Sequence, residues 1–417
     1  MAGKYQGYPE YKNIGSKWVP EIPVHWEPIL FKRIVNEIKD GTHGTHVRVN
    51  DGLPFLSAKN VLHKGIEITE SESMISEKDH QEITGNGFPR KGDLLITCVG
   101  TIGRTCVYEF DVPYAFQRSV AFLRLSKLAD PKFYKYFVES KTYQSQLEAQ
   151  SKASAQSGVY MGDLVSTSTV LAPIDEQQKI ANFLDHETAK IDTLIEKQKR
   201  LIKLLKEKRL ALVDIASKGA ELVRLENCSD LIAREVVCID DEFYTPIGLY
   251  NKGRGLFHKD PTLGKELGDS DFFYIEDNDL IFSGQFAWEG AVALTDEKDR
   301  GCIASHRYPV IKGNDGILDT AYLWAFFTSQ KGAFLMNECS RGAAGRNRPL
   351  NISYLMKEKI PVPSMIQQLA ISRLVWSERK IEERIKKVIS TLNEKRTSLI
   401  SAVVTGKIDV RNWQAPE

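Results

Sequence analysis

Two stretches of this chain carry apolar residues at a sustained helical spacing. In the first, Ile180, Leu184, Ile191, Leu194, Leu201, Leu205, Leu212 and Ile215 recur at steps of three and four, with Glu187, Gln198 and Lys208 at the remaining seam positions. In the second, Ile371, Leu374, Ile381, Ile385, Val388, Leu392 and Leu399 do the same, and Glu378 and Lys395 interrupt them. Such a narrow heptad stripe predicts two long helices, about 174–218 and 364–405, each wanting a second helix against it. Pro173 and Pro363 precede them, and Ser364 with Gln367 makes a capping box. Gly219 and Gly406 are natural stops. About 45 helical residues rising 1.5 Å each give a rod of roughly 65 Å.

The two stretches are copies. Pro173 to Leu184 returns as Pro363 to Leu374, which sets Glu176 against Ile366 and Gln177-Gln178 against Gln367-Gln368. Further on, Glu207-Lys208-Arg209 returns as Glu394-Lys395-Arg396. A repeat of this length means a globular unit followed by a long helix, twice over. The obvious partner of each seam is the other copy, packed as an antiparallel coiled coil.

The stretches outside the helices mix strand and helix patterns. Asp93 to Val99, Ser119 to Leu125, Asp279 to Phe282 and Ala291 to Leu294 read as strands; Lys132 to Leu147 and Thr320 to Met336 read as helices with aromatic faces. Each unit is therefore α+β. The expected boundaries are a first unit at 1–172, a central helix at 173–219, a second unit at 220–362, a C-terminal helix at 363–406 and a tail at 407–417.

Composition narrows the function. The 417 residues are 42% hydrophobic and 27% charged, ordinary for globular protein. No apolar run is long enough to span a bilayer, and residues 1–8 lack the apolar core of a signal peptide, so no membrane partner is expected and the expected location is cytoplasmic. Cys98, Cys106, Cys228, Cys238, Cys302 and Cys339 form no Cys-x-x-Cys pair, which argues for free thiols and against zinc. A net charge of +1 argues against a wholly basic surface, yet a local basic face offset by acids elsewhere is compatible with phosphate contact.

Catalytic motifs are missing. There is no Gly-rich sulfonium-binding loop with an Asn/Asp-Pro-Pro-aromatic partner, and Asp130-Pro131-Lys132-Phe133 lacks the second proline. Thr405-Gly406-Lys407-Ile408 lacks the leading glycine and the hydroxyl of a nucleotide-binding loop. His43 and His46 sit in a glycine-rich loop rather than a metal motif, so neither a catalytic residue nor a metal ligand is assigned.

What the chain does carry is a set of polar, acid-free loops. Gln150 to Gly158 holds Lys152, Ser154 and Gln156, and the equivalent stretch Ser340 to Arg348 holds Arg341, Arg346, Asn347 and Arg348. Gly41 to Arg48 adds Thr42, His43 and Thr45. Arg118 and the pair His306-Arg307 stand just before or beside strands. Loops without carboxylates do not repel phosphate; arginine binds guanine bidentately and asparagine or glutamine binds adenine. These thirteen residues are the candidate DNA contacts.

At this point the chain resembles a family. Ile14 to Trp26, the Pro-x-x-Glu-Gln start at Pro173, Glu176 and Gln177, Lys91-Gly92-Asp93-Leu94-Leu95 and Gly100-Thr101-Ile102-Gly103 are similar to type I restriction-modification specificity subunits. The second copy departs, with Ile366 for the glutamate and Asn278-Asp279 for Gly-Asp. The resemblance implies two target-recognition domains, each reading one half of a split, asymmetric site in double-stranded DNA, with the helices as spacer. It implies two modification subunits using S-adenosylmethionine, and restriction subunits using ATP and Mg, with no cofactor bound by this chain. Two other readings stay open: a nuclease with an unrecognised metal site, and a coiled-coil scaffold without a DNA role.

Overall fold

A computed structural model describes residues 5–152, 158–268, 270–340 and 348–415, with the side chain of residue 152 left aside. The chain divides into two compact units, Met1–Glu196 with Val388–Glu417, and Lys197–Lys387. Both are α+β, and both long helices form.

In unit 1 a four-stranded antiparallel sheet runs in the order Thr105–Val107, Leu94–Thr97, Val120–Leu125, Val35–Asp40. Helix α1 (Glu77–Thr84) lies in the segment between the outer strand and the sheet centre, and α2 (Pro131–Glu139), α3 (Lys141–Lys152) and α4 (Met161–Val165) follow the sheet. Phe133, Tyr134, Phe137 and Tyr143 bury their rings against Leu94, Ile96 and Leu123. The aromatic run 132–147 is two helices rather than one. Ser140 takes extended backbone, and its hydroxyl accepts from the Tyr143 amide, which ends α2 and starts α3. The long helix α5 (Ile174–Ser217) then begins.

Unit 2 repeats the plan. Its sheet runs Val292–Leu294, Leu280–Phe282, Val310–Gly313, Ser229–Ile232, the same order with the same partners. The second aromatic run is again broken, into α6 (Thr320–Phe327) and α7 (Gln330–Glu338), with Ser329 capping Gly332. A short α8 (Ile352–Lys357) precedes the second long helix, α9 (Met365–Val404). The aspartates of Gly92-Asp93-Leu94 and Asn278-Asp279-Leu280 are buried anchors: Asp93 is held by Arg124 at 2.9 Å and Asp279 by Arg234 at 2.6 Å. Both are structural.

In each unit a part of α5 packs with a part of α9. In unit 1 Ile180, Phe183 and Leu184 share a core with Leu399, Ile400, Val403 and Val404. In unit 2 Val213 and Ala216 share one with Ile371 and Val375. There Arg209 pairs with Glu378 and Lys206 with Glu382, so a step forward on α5 is a step back on α9: the segments are antiparallel. The α5 seam differs from the expected one. Leu194, Leu201, Leu212 and Ile215 are exposed, as is Val388 on α9. The buried α5 positions are Glu176, Gln177, Ile180, Ala181, Phe183, Leu184, Thr188, Ile191, Ile195, Arg209, Val213 and Ala216. Counting apolar residues misplaced the stripe because Thr188 and Arg209 hold seam positions while the leucines face outward. Both helices stop at glycines with left-handed backbone, Gly219 and Gly406 at φ 77°. After α9 the Lys407 amide bonds Ala402 and the Gly406 amide bonds Val403, a Schellman turn.

Candidate nucleic-acid interface

The starts of the two long helices are clasped alike. The Gln177 carboxamide accepts from the Asp130 amide and donates to the Leu128 and Ala172 carbonyls, at 2.8–2.9 Å. Gln368 accepts from the Asp319 amide and donates to Ile317 and Pro363, at 2.8–3.0 Å. This corrects the register of the repeat. Gln177 corresponds to Gln368, so the counterpart of Glu176 is Gln367, not Ile366. Aligning the two prolines hid this, because it is the glutamine that the fold holds in place. Glu176 is buried and accepts from Tyr8, from Trp26 Nε1 at 3.1 Å and from His25 Nε2 at 2.9 Å. The Glu-Gln mark is thus a structural joint.

The polar segments converge elsewhere, at one end of each sheet. In unit 1 the Thr42 amide donates to Phe116 and the Arg118 amide to Thr42, at 2.9 and 3.1 Å. The Cys98 amide donates to Ser119, and the Val159 amide returns to Cys98, at 2.8 and 3.0 Å. A Cβ at Gly41 would lie 2.2 Å from the Gln117 carbonyl oxygen, so only glycine lets these strands approach. The loop 41–48, the Gln117-Arg118 turn, the strand end at Cys98 and the segment arriving at Gly158 therefore form one rim. Arg118 is exposed and forms no ion pair among the described residues. Thr45 is exposed; Thr42 is half-buried. His43 is exposed and bonds Asp40 at 2.7 Å, whereas His46 bonds Asp79, so the two histidines do not converge on a shared ligand. Burial pushes the Cys98 thiol up to about 12, so the rim holds no reactive thiolate. Lys152 ends α3; its side chain, Ser154 and Gln156 lie outside the described residues.

In unit 2 the Gly284 amide donates to Arg307 and the Leu350 amide to Gly284, at 2.7 and 2.8 Å. These bonds match those at Cys98. His306 and Arg307 are exposed. Arg341, Arg346 and Asn347 lie outside the described residues. Arg348 donates to the Ser340 carbonyl at 3.1 Å and stacks over Trp288 at 5.2 Å. The structure adds a segment that the loop survey missed, Tyr250 to Gly255. Its Lys252 and Gly253 amides bond the Glu289 and Gly290 carbonyls at 2.8 and 2.7 Å, beside Trp288. Lys252 and Arg254 are exposed, with Arg254 over the Tyr250 ring at 5.1 Å. The segment holds no acid, so the same criterion applied here would have found it. Among the described residues no cluster of three or more His, Cys, Asp or Glu is placed to hold a metal ion, and no helix is long and apolar enough to cross a membrane.

Part of this chain matches a known family model. Residues 42–204 match the type I restriction modification DNA specificity domain. Over that stretch the chain is similar to type I restriction-modification specificity subunits. It is similar to the type I restriction enzyme EcoBI specificity subunit of Escherichia coli, with 28% identity over 195 residues, 42% of this chain and 38% of that one. The alignment thus spans less than half of that relative. Among solved structures, one described as showing the assembly and conformational transition of the type I R-M system has a TM-score of 0.55 at 13% identity, covering 93% of this chain and 99% of that one. The S subunit from M. genitalium aligns over 91% of this chain and 96% of that one, with 13% identity and a TM-score of 0.46.

Proposed function

We propose that this chain is a non-catalytic DNA-specificity subunit that reads a bipartite, asymmetric site in double-stranded DNA. The recognition domains are 1–172 and 220–362, and each reads one half-site through its rim. The observation that carries this reading is the rim built twice. The same backbone bonds at Cys98 and Gly284 position segments with different side chains, and different donors at one geometric position read different bases. Thr42, His43, Thr45, Arg118, Lys152, Ser154 and Gln156 serve the first half-site. His306, Arg307, Arg341, Arg346, Asn347 and Arg348, joined by Lys252 and Arg254, serve the second.

Methyl transfer belongs to two modification subunits carrying S-adenosylmethionine; ATP and Mg belong to restriction subunits. The exposed Leu201, Leu204, Leu212 and Ile215, which share one face of α5, support docking of a partner helix there, since apolar side chains grouped on a helix face gain by being covered. The test is methylation mapping of the complex reconstituted with its modification subunits. Arg118→Ala should change recognition in one half-site only, and Arg307→Ala in the other, each by about 1–3 kcal/mol if it reads a base. Equal effects of either substitution on both half-sites would overturn the assignment of one domain to one half.

A further inference from the structure

A chain of side chains runs behind the first rim. The Ser76 hydroxyl donates to Asp79 Oδ2 at 2.8 Å, and Asp79 Oδ1 lies 3.2 Å from His46 Nδ1. On the other side of the ring, His46 Nε2 lies 3.2 Å from Thr42 Oγ1, and the Gly44 amide donates to that same Oγ1 at 3.1 Å. Thr42 itself is fixed on both sides by main-chain bonds to Phe116 and Arg118. The His46 side chain is 12% exposed and packs edge-on against Phe55, their ring centres 5.9 Å apart.

Proton positions follow from what each group can do. The Ser76 hydroxyl, then the His46 ring, hold the Asp79 carboxyl below its ordinary range, so at neutral pH it is a carboxylate that only accepts. Facing it, Nδ1 of a neutral imidazole carries the proton, which leaves Nε2 as an acceptor. The Thr42 hydroxyl must then donate to Nε2. Its hydrogen is committed, one lone pair is taken by the Gly44 amide, and one lone pair remains.

We propose that His46 and Asp79 are positioning residues that make Thr42 an obligate hydrogen-bond acceptor, so that it selects a base with an exocyclic amino group at one position of the first half-site. In the major groove adenine and cytosine offer such a donor, while guanine and thymine offer carbonyl acceptors at the same place. This rests on the rim facing DNA, as proposed above.

The decisive variant is Asp79→Asn. Its amide oxygen accepts from Ser76 and its nitrogen donates to Nδ1, which moves the ring proton to Nε2. The Nε2 proton then points at Thr42 Oγ1, and the Thr42 hydroxyl turns its hydrogen outward. Binding of the reconstituted complex to a library randomised in both half-sites, at about pH 8 and so above the ordinary histidine range, should show one position of one half-site change preference. Adenine or cytosine gives way to guanine or thymine, by roughly tenfold for one hydrogen bond. Thr42→Val, which keeps the shape and removes the hydroxyl, should flatten preference at that same position, and Thr42→Ser should keep it. Long-range proton–nitrogen NMR of the full chain should show the His46 proton moving from Nδ1 to Nε2 in Asp79→Asn, a readout independent of DNA.

A His46 tautomer unchanged in Asp79→Asn would sink the relay. So would a moved proton with an unchanged base preference while Arg118→Ala still alters the half-site; the rim would then read DNA without Thr42. If Thr42→Val, Asp79→Asn and Arg118→Ala all leave both half-sites intact, the reading of this rim as a DNA surface fails along with the relay.

Discussion

Units 1 and 2 solve the same problem at the helix starts, but with different reinforcement. Both use a buried glutamine to hold the turn ahead of the helix. Unit 1 adds a buried carboxylate, Glu176, which gathers Tyr8, His25 and Trp26. Unit 2 has Gln367 at that place, exposed, its side chain bonded among the described residues only to its own cap residue, Ser364. The arginines of the repeated Glu-Lys-Arg differ as well. Arg209 meets one carboxylate, Glu378, with the two side chains only 6% and 5% exposed, and lies over Trp324. Arg396 meets two, Glu139 and Asp192, which also have Lys135, His63 and Lys64 as partners. The lesson is that the duplicated backbone is kept by a few main-chain clasps, while the charges around it have diverged between the copies.

Removing the arginines tests that contrast most strongly. Arg209→Met leaves Glu378 buried with no other ion-pair partner among the described residues, and should destabilise unit 2 by about 3–5 kcal/mol. Arg396→Met should cost unit 1 less, because Lys135, His63 and Lys64 remain. Denaturant unfolding followed by hydrogen exchange in each unit would measure both, and an equal loss would show that the extra cations compensate nothing. Adding Glu378→Leu to Arg209→Met should restore most of the lost stability.

The helix starts come next. Glu176→Gln keeps one acceptor oxygen where three donors converge, and should cost about 1–3 kcal/mol. Gln367→Ala should cost no more than about 1 kcal/mol, as for a solvent-exposed cap. Melting curves of the two variants that coincide would mean Glu176 is no more than a cap.

The smallest difference is in acid response. Burial, then the charge of Arg396, holds the His63 ring below its ordinary value. The folded state therefore takes up this proton less readily than the unfolded chain. Stability is complete above the ordinary histidine range and declines as pH falls through and below it. No histidine pairs with Glu378 or Arg209 among the described residues, so the decline should show in hydrogen exchange of unit 1 and not of unit 2. His63→Gln should make it shallower, leaving the part contributed by His80, whose ring is also held low by burial. An unchanged pH slope in that variant would place the sensitivity elsewhere.

Much of this fold was legible in the pattern of residues. The repeat, both long helices, their glycine stops and four of the sheet strands followed from spacing and turn chemistry. The α5 seam did not, because Thr188 and Arg209 occupy core positions that hydropathy assigns to leucine, and Leu194 and Leu201 look buried by type alone. The rims were legible in part. An acid-free loop announces itself, but nothing in a sequence says that main-chain bonds join Thr42 to Arg118 across some 75 residues of chain and Cys98 to Ser119, or that Asp79 stands behind His46. Those are facts of tertiary placement.

The glutamine clasps have one more consequence. Among the described residues, the Gln177 and Gln368 side chains hydrogen-bond only to peptide groups: an amide hydrogen and two carbonyl oxygens in each unit. A fastening of that kind does not inspect the side chains of the part it holds. It accepts any domain that presents the same turn of main chain, as a socket accepts any plug with the right pins. Mutations can thus accumulate across a rim without loosening the clasp, most freely in unit 2, where no buried carboxylate adds side-chain partners to it.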